Sequence, residues 1–256
     1  MALYSKPVRV LMKEMAADLA KAPDATFTRQ DAINWFAQKY PKIKIGTVTA
    51  HLTRLSTNAR SRTHYSAKPG EDDVLYQIDG SHYRHYRPGQ DPAPIYTGQA
   101  TGEPAKVPEG EDEETTVQPS SGGGEFAYEA DLRNYLSKNL SKLEPGMRVY
   151  EEEGITGIEF PVGGRFIDIL ATDAKGGLVV VELKVSRGYD RVVGQLMRYV
   201  AWIKKNLAEP SQNVRGVIVA RDISEDLLLA CSMVPGVELF EYELSLSLKR
   251  VNETRT

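Results

Sequence analysis

Two apolar runs, Phe166 to Ala171 and Leu178 to Val185, flank a short segment carrying Asp173, Gly176 and Gly177. Runs of that length on either side of turn-forming residues predict a β-hairpin, apolar on both faces and so central in a covered sheet. Ile167, Ile169, Val179 and Val181 are expected on one face, and Phe166, Leu170 and Val180 on the other. With the turn centred on Lys175, Asp168 stands opposite Glu182 across the antiparallel ladder. Side chains alternate along a strand, so Lys184 shares the face of Glu182 while Leu183 points the other way. Three ionisable groups in such surroundings are costly. Two hard oxygen ligands beside an ammonium suit a divalent cation such as Mg²⁺, with the lysine orienting or deprotonating an attacking water. The same string also describes a buried or edge ion pair in which Lys184 merely neutralises Glu182.

The next segment bears on that choice. From Tyr189 to Leu207, Val192, Val193, Leu196, Val200 and Ile203 recur at helical spacing, and Gln195 and Tyr199 share one face of that helix. Taken together, Ile167-Asp168, Glu182-Leu-Lys184 and Gln195-x-x-x-Tyr199 resemble the PD-(D/E)xK nuclease superfamily, in the branch with a Q-x-x-x-Y motif after the core hairpin. Ile167 stands where the motif has proline. The segments EADLRNYLSKNLSKLEPGMRVYEEE, GRFIDILATDAKGGLVVVELK and QLMRYVAWIKKNL further resemble the carboxy-terminal nuclease domain of the NucS/EndoMS endonucleases, over about Phe126 to Lys249. The resemblance implies a restriction-endonuclease-like α/β fold, a mixed sheet flanked by helices. It implies metal ligation by Asp168 and Glu182 with the backbone carbonyl of Leu183, and water positioning by Lys184. Glu129, on the first helix, is the best match for a further acidic site residue, with Asp131 its neighbour. Gln195 and Tyr199 are expected to hold a phosphate or a metal-bound water. Mg²⁺ is the expected cofactor, with Mn²⁺ as a substitute.

With 256 residues and 41% hydrophobic content, the chain suits two modest cores better than one large one. Its single cysteine, Cys231, supports neither a disulfide framework nor a zinc site, so a reducing cytoplasm is the default expectation. No signal peptide is recognisable, and the apolar runs fall far short of a membrane span. The net charge of -3 conceals an asymmetry: residues 1–90 hold 14 Lys and Arg against 8 Asp and Glu, together with all four histidines. A basic module ahead of an acidic tether suits a DNA binder.

Periodicity predicts helices over Pro7 to Lys21, over Arg29 to Tyr40 capped by Thr28, and from about Gly46 and Thr47 onward. Val74 to Ile78 and His82 to Tyr86 around Asp79-Gly80-Ser81 predict a hairpin. Three helices and a hairpin resemble a winged helix-turn-helix, a small α+β domain over residues 1–88 whose third helix enters the major groove of DNA. On that layout Thr49, His51, Arg54 and Asn58 face outward, Thr47 at the start of the helix joins the DNA contacts, and Arg60, Arg62, Arg84 and Arg87 add phosphate contacts. The same layout serves a protein-interaction or dimerisation domain. His51 and His64 lack partners at metal-ligand spacing and suit helix-face or DNA-contact roles. Residues 89–124, rich in Pro, Gly, Ser and acid, are expected to form a mobile linker, and residues 125–256 the nuclease domain.

These features together suggest a Mg²⁺-dependent endonuclease for double-stranded DNA, acting as a homodimer because cutting both strands takes two sites. Restriction of foreign DNA, directed by sequence or base modification, is the first expectation. A NucS-like nuclease for mismatched or branched DNA is the second, and a non-catalytic DNA-binding regulator the third.

Overall fold

The computed structural model describes residues 4–22, 24–97, 129–185 and 191–244. The amino-terminal module starts with α1 (Val8–Leu19), β1 (Phe27–Thr28), α2 (Arg29–Lys39) and α3 (Ile45–Leu55). Thr28 caps α2 as expected: its hydroxyl accepts from the Asp31 amide, and the Asp31 carboxylate accepts from the Thr28 amide, a capping box. The hairpin β2 (Leu75–Gln77) and β3 (His82–His85) follows, and β1 adds to its far edge to give the antiparallel order β1-β3-β2. Leu11, Met15, Phe36, Leu52, Leu55 and Leu75 close the core between helices and sheet.

The second module starts with α4 (Glu129–Ser137), β4 (Arg148–Val149), the small hairpin β5 (Glu151–Glu152) and β6 (Ile155–Thr156), and β7 (Ile158–Val162). It continues through β8 (Arg165–Thr172), β9 (Leu178–Lys184), α5 (Val192–Asn206), β10 (Val214–Ala220), α6 (Glu225–Ser232) and β11 (Val237–Glu241). The sheet runs β11-β10-β9-β8-β4, with β7 also paired to β8; β9, β10 and β11 are parallel, which the intervening α5 and α6 allow. One face, through Val180 and Ile218, meets Leu196, Val200 and Ile203 of α5; the other, through Val179, Val181 and Leu183, meets Leu132 and Leu136 of α4. Val179, Val180, Val181 and Leu183 are wholly buried, each contributing about 1.5–3 kcal/mol from removal of apolar surface from water.

The hairpin register is the expected one, with Ile169 opposite Val181 and Thr172 opposite Leu178. Strict alternation fails beyond it. Ile167 packs with Leu170 and Val180 rather than with Ile169, and Phe166 is 47% exposed instead of buried. The cause lies at Asp168: the β7–β8 ladder passes from Ile158–Ile169 to Phe160–Ile167, and Glu159 between them has φ +47°. The register is the same on either side of that missing rung, and across it Ile167 and Ile169 turn to opposite faces. Tyr135 on α4 is also 40% exposed.

The two modules pack directly against each other through α3. Gly46 lies against Leu207, at the end of α5, where an added Cβ would meet the leucine side chain at 2.9 Å. Ala50 and Tyr65 join the core of the second module beside Ile155 and Phe160. The helix expected to enter a DNA groove is therefore turned inward, and the outward placement of Thr47, Thr49, His51, Arg54 and Arg62 is corrected: all five are buried. Thr47 donates to Glu152 across the interface. Arg54 bonds Asp72 and the Ser66 carbonyl within its module and the Glu153 carbonyl beyond it, and Arg62 bonds the Arg54 carbonyl and Asp73. His51 donates through Nδ1 to the Thr47 carbonyl, and burial lowers its pKa to about 4, so it is neutral. Of the other expected DNA contacts, Arg60 is exposed, while Arg84 pairs with Asp91 and Arg87 with Asp24.

The amino-terminal module also runs past the expected boundary at residue 88. The Ile95 amide donates to the Thr57 carbonyl, Tyr96 donates to Asp73, and Thr97 donates to the Thr63 carbonyl. Those first residues of the expected mobile linker are bonded; its remainder, residues 98–124, lies outside the described residues.

Candidate active site

The interruption of the ladder at Asp168 builds the site. β8–β9 pairing stops at Ile169, and the freed Leu183 amide donates to Asp168 Oδ2 at 3.0 Å, so a side chain replaces the next rung. Asp168 is thereby anchored beside Glu182, the pair that the hairpin register brings together. Lys184 Nζ lies 3.4 Å from Glu182 Oε1 and 3.3 Å from Glu129 Oε1, at the start of α4. From α5, Gln195 Nε2 donates to Glu182 Oε1 at 2.7 Å and to the Tyr199 hydroxyl at 3.2 Å. Five residues singled out in the sequence, Glu129, Glu182, Lys184, Gln195 and Tyr199, thus join one network, and the sixth, Asp168, acts on it electrostatically through Glu182 and Lys184.

The electrostatics are those of a strained acidic pocket. Burial and the neighbouring Asp168 push the Glu182 carboxyl up to about 8, against the pull of Lys184. Burial also raises Asp168, opposed by the Leu183 amide, Lys184 and Arg133. Burial would discharge Lys184, but Glu182, Glu129 and Asp168 outweigh it and hold the ammonium. Glu182 Oε2 is buried and has no hydrogen-bond partner. A buried carboxyl oxygen without a hydrogen-bond partner, beside a second carboxyl, fits a divalent cation or, without one, a proton. Among the described residues no three His, Cys, Asp or Glu side chains gather at metal-holding distance. The side-chain set is therefore a carboxylate pair, which suits a cation that keeps waters and takes a phosphate oxygen.

Sequence reasoning missed two residues. Arg133, one turn after Glu129 on α4, donates through Nη1 to Asp168 Oδ1 at 3.3 Å and through Nη2 to Glu159 Oε1 at 2.5 Å. Its spacing from Glu129 put it on the site-facing side of the helix, a signal available in the sequence. Glu159 gave none, because its position depends on an irregular strand.

A hairpin bearing an aspartate and a Glu-x-Lys, followed by a helix bearing Gln-x-x-x-Tyr, defines a domain like those of the PD-(D/E)xK nucleases. Residues 128–241 match the family described as the Endonuclease NucS C-terminal domain, and residues 7–85 match one described as a domain of unknown function (DUF7669). Similar proteins include Endonuclease NucS of Pyrococcus abyssi, 33% identical over 98 residues that make up 38% of this chain and 35% of that protein. Endonuclease NucS of Micrococcus luteus is 43% identical over 96 residues, 37% of each chain. A crystal structure of a repair endonuclease from Pyrococcus abyssi aligns with 53% of this chain and 50% of its own, at 26% identity and a TM-score of 0.39. The chain spans little more than a third of the length of the curated relatives it matches. The carboxy-terminal half resembles the NucS/EndoMS nuclease domain, as its motifs implied. No helix among the described residues is long and apolar enough to cross a membrane.

Proposed function

We propose that this protein is a Mg²⁺-dependent endonuclease that hydrolyses phosphodiester bonds in double-stranded DNA, of the NucS-like kind that acts on mismatched or branched duplexes. The observation that supports the reading is that Lys184 and Gln195 meet on one oxygen of Glu182, beside Asp168, while the other oxygen is buried without a hydrogen-bond partner. Asp168 and Glu182 would hold the cation, with the Leu183 carbonyl completing its protein ligands. When bound, the cation neutralises charge on the scissile phosphate and lowers the pKa of a coordinated water. Lys184, kept charged by three carboxylates, positions the attacking water and faces the negative charge that develops on the phosphate. Gln195 fixes one Glu182 oxygen, so that the other would be left to ligate the cation, while Tyr199 braces Gln195. Glu129 holds Lys184 from the opposite side.

Two observations favour repair over the restriction role that the sequence suggested first. Relatives of the carboxy-terminal domain are named Endonuclease NucS. The helix expected to read bases is packed against the nuclease domain, with Thr47, Thr49, His51 and Arg54 buried. A non-catalytic regulator accounts for neither the charge cluster nor its cost. Cleavage of both strands calls for two sites, hence a homodimer on DNA.

The test is incubation of the full chain with Mg²⁺ and three DNAs: unmodified plasmid, modified phage DNA and a duplex with one mismatch. Cutting confined to the mismatched duplex is expected. Discrete fragments from either of the other two would restore restriction, and intact DNA in all three, and in a branched duplex treated alike, would refute the nuclease reading.

A further inference from the structure

Glu159 stands between the amino-terminal module and the site. Its Oε1 accepts from Arg133, which also reaches Asp168 Oδ1, and its Oε2 accepts from Ser61 at 2.6 Å with His64 Nε2 at 3.6 Å. Ser61 and His64 lie on the turn that follows α3, so one carboxylate joins the docked module to the aspartate of the site in two steps. Burial opposes ionisation of Glu159, but His64, Arg133 and Ser61 outweigh it and hold its carboxyl down to about 2. The backbone supports the same view. Among the described residues the non-glycine positions with positive φ are Glu153 and Glu159, and both bond the amino-terminal module. A side-chain-bearing residue keeps that conformation only where its surroundings compel it.

Arg133 poses a problem for any cation at Asp168, since a guanidinium on one carboxylate oxygen competes with a metal for the same charge. Glu159 answers it by neutralising Arg133 and drawing it to one side. We infer that Glu159 is a positioning residue through which the docked amino-terminal module holds Arg133 off the full charge of Asp168 and so sets the site's affinity for its divalent cation. The module is then a structural part of the nuclease, and loosening it on DNA would alter metal loading. This rests on the nuclease reading above and adds a residue and a route to it.

The test measures Mn²⁺ binding to the full chain by titration calorimetry, alongside the Mg²⁺ concentration that gives half-maximal cleavage of the mismatched duplex. Glu159→Gln leaves Arg133 uncompensated, and both midpoints are expected to rise about tenfold, the effect of one partly screened charge, with the rate at saturating metal retained. Ser61→Ala should shift them in the same direction by about threefold, through loss of one tether. The Arg133→Gln/Glu159→Gln double variant removes the competitor with its partner and should return both midpoints to near the starting values. A general structural role predicts the reverse, a double variant at least as impaired as the single one. An unmoved midpoint in Glu159→Gln, or a double variant no better than it, overturns the inference. A parent protein that binds no Mn²⁺ and cuts no DNA overturns the nuclease reading as well, which separates the two failures.

Discussion

Gln195 donates to one oxygen of Glu182 at 2.7 Å, and the other oxygen of that carboxylate is buried with no partner at all. The amide therefore fixes the carboxylate while leaving half of its bonding capacity unspent, an arrangement that costs stability and is useful only to a ligand. Glu182→Gln should relieve the cost. At about pH 9, where the carboxyl is ionised, the substitution removes a buried charge while Gln195 retains an acceptor, and the metal-free protein is expected to melt about 2–4 °C higher, roughly 1 kcal/mol in a chain of this size. Cation binding and cleavage should be lost together. A lower melting temperature by differential scanning calorimetry would show that Glu182 supports the fold rather than a ligand.

The proposed chemistry rests on residues either side of that glutamate. Asp168→Ala or Lys184→Ala should lower cleavage by at least about a thousandfold, through loss of a metal ligand or of the group facing the developing charge. Binding of the duplex, measured by fluorescence anisotropy in Ca²⁺, should be nearly unchanged. Cleavage that survives either substitution refutes the assignment of roles.

These residues were legible in sequence because a hairpin with period-two apolar strands and a fixed turn has little choice of register, and Gln195 and Tyr199 needed only helical spacing. The same reasoning failed on α3. Thr47, Thr49, His51 and Arg54 looked like a solvent-facing stripe because polar residues that meet a second module have the same pattern as those that meet water. What distinguishes them is the set of partners, Glu152 for Thr47 and the Glu153 carbonyl for Arg54, roughly a hundred positions further along the chain. Glu159 was invisible for a related reason: its φ of +47° follows from contacts on two sides rather than from its neighbours in sequence.

Proton linkage gives a third expectation. In the metal-free protein Glu182 titrates near 8 against an ordinary 4.5, so between those values the folded chain holds a proton that the unfolded chain releases. Stability without metal should accordingly fall as pH rises from about 4.5 to about 8. A cation needs the carboxylate, so each binding event below pH 8 expels a proton, and affinity should rise by up to about tenfold per pH unit from pH 6 and level off above 8. Calorimetric titrations with Mn²⁺ in buffers of different ionisation enthalpy would count that proton. Binding that is independent of pH between 6 and 8 contradicts the coupling.

Arg54 tests whether the two modules fold as one body. Its guanidinium bonds Asp72, which is wholly buried, and also reaches the Glu153 carbonyl of the other module at 2.9 Å. Gly154 makes room for it: φ is +80°, and a Cβ there would fall 2.0 Å from Arg54 Nη1. Arg54→Ala strips Asp72 of its main counter-charge, leaving Arg9 at 3.7 Å, and removes a bond across the interface. Breaking a buried pair from one side costs about 3–5 kcal/mol, so the melting temperature should fall by roughly 10 °C. Because Ala50 and Tyr65 lie in the core of the second module, the unmodified chain should melt in one transition, and the variant in two as the amino-terminal module separates first. If Glu159 draws its support from the docked module, metal affinity in this variant should decline over the first transition, before the nuclease domain itself unfolds. A single transition within about 2 °C of the parent would mean that the contact through α3 contributes little to holding the modules together.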